Sequence, residues 1–306
     1  MTVLVFGGNG QVGQELRRAL GALGPVVATT RTGRLADGST CARADFAQQQ
    51  DLVALLEHLR PAWVVNAAAY TAVDRAEQEP EAAFLANAEA PGVIAHWCAA
   101  HGVPLVHYST DYVFDGEGGR PYLEDAPTRP LSVYGASKLA GERAIREAGG
   151  RHLIFRTAWV HAAHGNNFLR TMLRVGANGG QLRVVADQVG TPTAAALIAD
   201  LTAQVIGSDD GQRTGVWHMT AAGETTWHGF AEEIFRQAAA MGLIQQAPSV
   251  AAIATADYPA LARRPMYSCL DTSKLRRDFG IRPPSWQEGA RHVLSELSAV
   301  HRADCR

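Results

Sequence analysis

The sequence predicts an α/β protein built on a doubly wound parallel sheet, with a smaller and irregular C-terminal lobe. Three observations carry this. Apolar runs of strand length alternate with longer helix-patterned stretches up to about residue 157, a glycine-rich turn follows the first run, and the alternation loosens after Ala158.

The strand-length runs fall at residues 3–6, 26–30, 63–67, 105–109 and 153–157, and the helical stretches at 12–23, 50–59, 81–100 and 133–147. Helical crossovers join parallel neighbours and cover both faces of a sheet, so this rhythm predicts parallel, doubly wound architecture. Beyond it come a strand-like run at 182–185, helices near 195–206 and 227–241, and a proline-interrupted segment at 282–284. Residues 1–158 therefore read mainly as the sheet domain and 159–306 mainly as the second lobe, a division that allows the chain to cross between them. Neither a fixed-period repeat nor a low-complexity linker is visible, which predicts that the lobe packs on the sheet instead of swinging on a tether.

With 306 residues, 47% of them hydrophobic, the chain can bury a large core. Lys and Arg total 28 against 30 for Asp and Glu, a formal charge of -2, so no global field favours nucleic acid or an anionic membrane. Cys41, Cys98, Cys269 and Cys305 lie far apart with no CxxC pair, which removes the usual zinc spacing and suits free thiols in a reducing cytoplasm. The apolar N-terminal run is short and lacks a basic start, unlike a signal peptide or a spanning helix.

Gly7-Gly8-Asn9-Gly10-Gln11-Val12-Gly13 sits directly after a strand and opens a helix, the context that a dinucleotide fingerprint of a Rossmann-type sheet requires. Gly7 permits the tight turn, Gly10 lets backbone amides approach a pyrophosphate, and Gly13 lets helix and strand pack closely. The helix N-terminus adds free N–H donors and partial positive charge. After the second strand the sequence reads Thr29-Thr30-Arg31-Thr32, with no carboxylate for a ribose hydroxyl. Arg31 there suits an adenosine 2′-phosphate, with Thr30 or Thr32 adding a hydroxyl, and so favours NADPH over NADH.

Tyr134 and Lys138 stand four apart in a helical segment, hence on one face. A neighbouring ammonium stabilises phenolate and lowers a phenol's pKa from its usual value of about 10. Tyr134 can then give a proton to a ketone oxygen as hydride reaches the carbon. Ser109 and Thr110 lie at the carboxyl end of a strand, where open α/β sheets bind ligands, and either hydroxyl can hold the carbonyl.

Together with the glycine turn, Asn66-Ala67-Ala68-Ala69, Ser109-Thr110-Asp111-Tyr112-Val113-Phe114-Asp115-Gly116 and Tyr134-Gly135-Ala136-Ser137-Lys138 resemble the extended short-chain dehydrogenases, and within them the dTDP-4-dehydrorhamnose reductases. The resemblance continues through Phe155-Arg156-Thr157-Ala158-Trp159-Val160, Gly165-Asn166-Asn167-Phe168 and Ala262-Arg263-Arg264-Pro265 and covers nearly the whole chain. It implies a triad of Thr110, Tyr134 and Lys138, with Tyr134 the proton donor, Lys138 also on the nicotinamide ribose, and NADPH the hydride source. It further implies that Gly10, Gln11 and Val12 meet the pyrophosphate, that Asp45 and Phe46 lie near the adenine, and that Ala67, Ala68, Ala69 and Tyr108 border the cofactor cleft. Substrate would meet Thr110, Asp111 and Trp159, and the expected assembly is a homodimer.

The resemblance implies a nucleotide-sugar substrate, whose diphosphate needs neutralising. Arg263 and Arg264 offer guanidinium groups for it, with a solvated or salt-bridged pair as the alternative. His161 and His164 have no further ligand cluster and read as loop residues, while Asp74 and Glu77 read as a solvated helix start. Some reductases of this family resemble a metal-bridged dimer using a glutamate matched here by Glu15, but the second glutamate's place falls on Ala196, so no magnesium requirement is expected. Glu15 is then left to interact with the helix dipole. Two other readings stay open: a different dTDP-deoxysugar 4-ketoreductase, and a non-catalytic NADP-binding regulatory subunit of the same fold.

Overall fold

The structure is a computed structural model that describes residues 1–177 and 181–304. Its first half alternates as β1 (Val3–Phe6), α1 (Gln11–Leu20), β2 (Val26–Thr30), β3 (Ala42–Arg43), α2 (Gln49–Leu59), β4 (Trp63–Asn66), α3 (Val73–Ala76), α4 (Pro80–Phe84), α5 (Ala90–His101), β5 (Leu105–Thr110), α6 (Val133–Glu147) and β6 (His152–Thr157). The second half adds β7 (Val160–His161), α7 (Phe168–Gly176), β8 (Gln181–Val185), β9 (Val189–Gly190), β10 (Thr193–Ala194), α8 (Ala195–Gly207), β11 (Gly215–His218), β12 (Thr225–Thr226), α9 (Trp227–Ala240), β13 (Ser249–Ile253), α10 (Ser273–Phe279) and α11 (Trp286–Asp304).

Seven strands form one parallel sheet in the order β11-β6-β5-β4-β1-β2-β3. Side chains alternate across a strand, and here the alternation divides the core between two faces. Val3 and Val5 pack with Leu16 and Leu20 of α1 and Ile198 and Val205 of α8, whereas Leu4 and Phe6 pack with Leu52 and Leu56 of α2 and Ile94 of α5. A separate core, with Phe230, Phe235, Trp286 and Leu294 at its centre, joins α7, α9 and α11.

Two departures from the sequence reading have clear causes. The helix expected over 81–100 is interrupted by a π-helical turn at Leu85–Glu89, because Asn87 is drawn inward to bond Tyr70 and Ser137. The seventh strand, β11, comes from residues assigned to the second lobe: four residues beside β6 are too short to show a period of their own. Cys41, Cys98 and Cys269 are free thiols, and Cys305 lies outside the described residues. Among the described residues no helix is long and apolar enough to cross a membrane.

Candidate active site

The glycine turn bends where its sequence requires. Gly7 has φ 85°, and a Cβ there would lie 2.6 Å from the Ala68 nitrogen. A Cβ on Gly13 would lie 2.0 Å from the Gly7 carbonyl oxygen, so α1 meets β1 more closely than any side chain permits. Gly10 is the N-cap of α1 and supplies no side-chain cap, which leaves the first amides of the helix to an anion. Val12 packs into the core behind them, and Gln11 accepts a hydrogen bond from Asn167 of the second lobe at 2.8 Å.

Asn9 ties the next loop to this turn, accepting from the Ala36 N–H at 2.9 Å and donating to the Arg34 carbonyl at 2.9 Å. Arg31 is exposed directly after β2. Of the two hydroxyls offered beside it, Thr30 is occupied with the Arg34 backbone, accepting at 3.1 Å and donating at 3.0 Å, which leaves Thr32. Asp45 accepts from the Ala47 N–H at 3.1 Å, and Phe46 meets Phe6 edge-on at 5.7 Å. Ala67, Ala68 and Ala69 follow β4 at the same carboxyl edge, where Asn66 Oδ1 accepts the Ala68 N–H at 3.1 Å.

Thr110 ends β5, where its Oγ1 accepts the Tyr112 N–H at 3.2 Å and donates to Asp111 Oδ1 at 3.0 Å. Tyr134 lies in the first turn of α6, partly exposed, and its ring meets Tyr112 edge-on at 5.9 Å. Burial pushes the phenol up to about 12, against the lowering influence of Thr110 and with the Asp111 charge adding to the rise. This corrects the expectation of a phenol lowered by Lys138. The i, i+4 spacing is present, but the flexible lysine stem carries Nζ to the Tyr108 carbonyl, 2.6 Å away, and to within 3.3 Å of His107 Nε2.

His107 could not be assigned from sequence. Its Nδ1 lies 3.1 Å from Asn66 Nδ2 and its Nε2 3.3 Å from Lys138 Nζ, and burial beside that ammonium keeps the ring neutral. Burial, partly offset by the Glu142 charge, brings the Lys138 ammonium down to about 8. Tyr108 serves this site through its backbone: its side chain points into the core and bonds Thr202 at 2.7 Å, away from the cleft that it was expected to border.

Of the two hydroxyls left open at the end of β5, Ser109 is taken. It donates to Glu142 at 2.6 Å, and Glu142 also receives a two-pronged hydrogen bond from Arg156 at 2.8 and 2.7 Å. The Arg156 and Glu142 side chains are only 3% and 0% exposed. The signal was present in the sequence: an arginine inside an apolar strand needs a buried carboxylate. Glu77, read as a solvated acid, accepts the Val133 N–H at 2.8 Å and caps α6 beside Ser132. Ser137 donates to the Tyr134 carbonyl at 2.8 Å and accepts from Asn87, so the π-helical turn braces the catalytic helix.

Trp159 has φ 46°, an uncommon conformation for a bulky residue, and stacks on Trp227 with centroids 3.5 Å apart. Asp111 is 2% exposed, and its Oδ2 has no hydrogen-bond partner. Arg263 is exposed, whereas Arg264 forms a bidentate pair with Asp74 at 3.1 and 2.6 Å. Asp74 is thus a latch between the lobes, not a solvated helix start, and Arg263 is the guanidinium left open to an anion.

Glu15 also departs from its sequence reading. It sits in the second turn of α1, 9% exposed, and bonds His164 at 2.9 Å and Arg18 at 3.1 Å, which leaves no part for the helix dipole. The other position of the metal bridge, Ala196, is a buried methyl in α8. These residues do not fit a divalent cation: one carboxylate is already shared by Arg18 and the His164 imidazole, and the second oxygen ligand is missing.

A Rossmann-type sheet, a glycine turn shaped for a pyrophosphate and a Tyr-Lys helix beside a strand-end hydroxyl define a nicotinamide-linked oxidoreductase of the extended short-chain dehydrogenase type. The family model described as RmlD substrate binding domain matches residues 1–299, and the chain belongs to this family. It is 44% identical over 299 residues to the dTDP-4-dehydrorhamnose reductase of Shigella flexneri, covering 97% of this chain and 98% of that one. To the enzyme of the same name from Burkholderia thailandensis it is 47% identical over 295 residues, covering 94% and 96%. The crystal structure of dTDP-4-dehydrorhamnose reductase from Bacillus anthracis in complex with NADP superposes with a TM-score of 0.87 at 31% identity, covering 96% of this chain and 99% of that one.

Proposed function

We propose that this protein reduces the 4-keto group of dTDP-4-dehydro-L-rhamnose with NADPH to give dTDP-L-rhamnose, acting as a homodimer in the cytoplasm. The observation that carries the reading is the placement of Thr110, Tyr134 and Lys138 at one carboxyl edge of the sheet, beside the glycine turn, in a chain alike over nearly its whole length to reductases of this name.

Bound NADPH supplies hydride to the carbonyl carbon. The amides at Gly10, Gln11 and Val12 hold its pyrophosphate, Arg31 and Thr32 its 2′-phosphate, and Lys138 its nicotinamide ribose. Thr110 and Tyr134 hold the carbonyl oxygen. A phenol that titrates near 12 stays protonated at neutral pH, which suits Tyr134 to give a proton in the reductive direction. Trp159 and Trp227 wall the sugar side, and Arg263 is placed for the diphosphate.

The test follows NADPH absorbance with the dTDP-keto sugar. The wild-type protein turns over, while Tyr134→Phe binds NADPH nearly normally and loses turnover by orders of magnitude, because the ring remains and the donor does not. Undiminished turnover in Tyr134→Phe overturns the assignment, and absence of wild-type turnover with NADPH bound favours the regulatory-subunit reading.

A further inference from the structure

Trp159 sits two residues past the end of β6, whose last residue, Thr157, pairs with Thr110 at the end of β5. The half-buried indole therefore leaves the sheet at the same carboxyl edge as the Thr110 hydroxyl. Its arrangement is not one that two free rings would choose. Aromatic pairs prefer offset or edge-on contact, with centroids about 4.5–7 Å apart, because the negative faces of the two quadrupoles repel. Trp159 and Trp227 nevertheless lie 3.5 Å apart with 3° between their planes, and the Trp159 backbone holds φ 46°. Such a conformation persists only where its surroundings over-determine it.

The surroundings that do so come from β9 and its neighbours. β12 pairs antiparallel with β9, Thr225 opposite Gly190, and this sets Trp227, at the start of α9, beside that strand. Gly190 leaves room for the other ring: a Cβ there would lie 2.6 Å from Trp159 Nε1 and 2.7 Å from Cζ2. Trp227 Nε1 donates to Gln188 Oε1 at 3.2 Å. Gln188, 5% exposed, donates in turn to Thr255 Oγ1 at 3.0 Å, and Thr255 is fixed to Asp187 at 2.6 Å. The Trp159 backbone is tied separately, its carbonyl accepting the Thr193 N–H at 3.2 Å.

We infer that Gly190 and Gln188 are positioning residues for the sugar wall, Gly190 by leaving room for the Trp159 indole and Gln188 by holding Trp227 flat against it. The inference rests on the reductase reading, which puts Trp159 beside the sugar, and adds the residues that decide where the indole stands. A wall fixed in advance has little left to order when the sugar arrives, so the gain appears in sugar affinity. Hydride and proton transfer depend on Thr110, Tyr134 and Lys138, which stand on β5 and α6.

Gly190 does not have a positive φ, so Gly190→Ala adds a methyl without backbone strain and its effect falls on the indole. In protein labelled with 5-fluorotryptophan, the Trp159 fluorine resonance, identified by its loss in Trp159→Phe, moves in Gly190→Ala as it does in Trp227→Leu. The affinity of the NADP+ complex for dTDP-L-rhamnose weakens about tenfold and KM rises with it, while kcat and the NADPH dissociation constant stay within about threefold. In a Trp159→Ala background the same Gly190→Ala change costs less than about twofold, because the ring it displaces is gone. An unmoved resonance, a loss confined to kcat, or the same tenfold cost without the indole overturns the proposal. If Gly190→Ala does not fold, Gln188→Leu decides through the other ring: the resonance moves and sugar affinity falls, and no change in either overturns the role of Gln188. A wild-type protein that binds the nucleotide sugar without turnover counts against the reductase reading and leaves the wall to be judged by affinity alone.

Discussion

Glu142→Gln removes a charge that two buried groups share. Arg156 and Glu142 are 3% and 0% exposed at the side chain, and the amide leaves Arg156 without its counter-charge while weakening the bond from Ser109. Breaking a buried pair by removing one partner costs about 3–5 kcal/mol. At roughly 2 °C per kcal/mol for a long chain, that is a fall in Tm of about 6–10 °C. The same charge holds up the Lys138 ammonium, which already titrates near 8, so its loss lowers that group further. Activity that needs the ammonium is then lost at lower pH on the alkaline side. Arg156→Met added to Glu142→Gln restores part of the stability, since it removes the buried charge left without a partner. Thermal unfolding with and without NADPH, followed by a pH profile, is the assay. A loss below about 1 kcal/mol, or a double variant no better than the single one, would show that this pair does not support the site.

Gly13→Ala places a methyl 2.0 Å from the Gly7 carbonyl and costs about 1–3 kcal/mol together with cofactor affinity. Gly119→Ala, with open space around it, stays within about 0.5 kcal/mol; equal melting temperatures for the two variants would contradict the close packing of α1 on β1. Arg31→Ala erodes the preference for NADPH over NADH by weakening the NADPH parameters alone, and an unchanged ratio of specificity constants removes Arg31 from the 2′-phosphate. Turnover and sedimentation survive exhaustive EDTA treatment, because Glu15 is held by His164 and Arg18; a reversible collapse restored by magnesium would show that a cation displaces them.

Much of the site was legible because its parts are local. The glycine turn needs residues six apart, and Tyr134 and Lys138 need one turn of helix, so spacing alone placed them on the right elements. The reading of Lys138 failed one step later. Sequence spacing sets which face a lysine occupies, but the end of its stem goes to the strongest acceptor within reach, and that is a carbonyl of β5 supplied by the sheet.

The sequence by itself determined the parallel sheet, its cofactor turn and the order of the candidate triad, since hydrophobic period and glycine placement act over a few residues. Only the tertiary structure decided that Ser109 serves Glu142 and Arg156, that Glu77 caps the catalytic helix, and that Asp74 occupies Arg264 and leaves Arg263 open. It also brought β11 back to the edge of the sheet and left Asp111 buried against Thr110. In each case the partners lie on different elements, and the choice depends on burial: a polar group removed from water must take whichever partner the packed elements bring within about 3 Å.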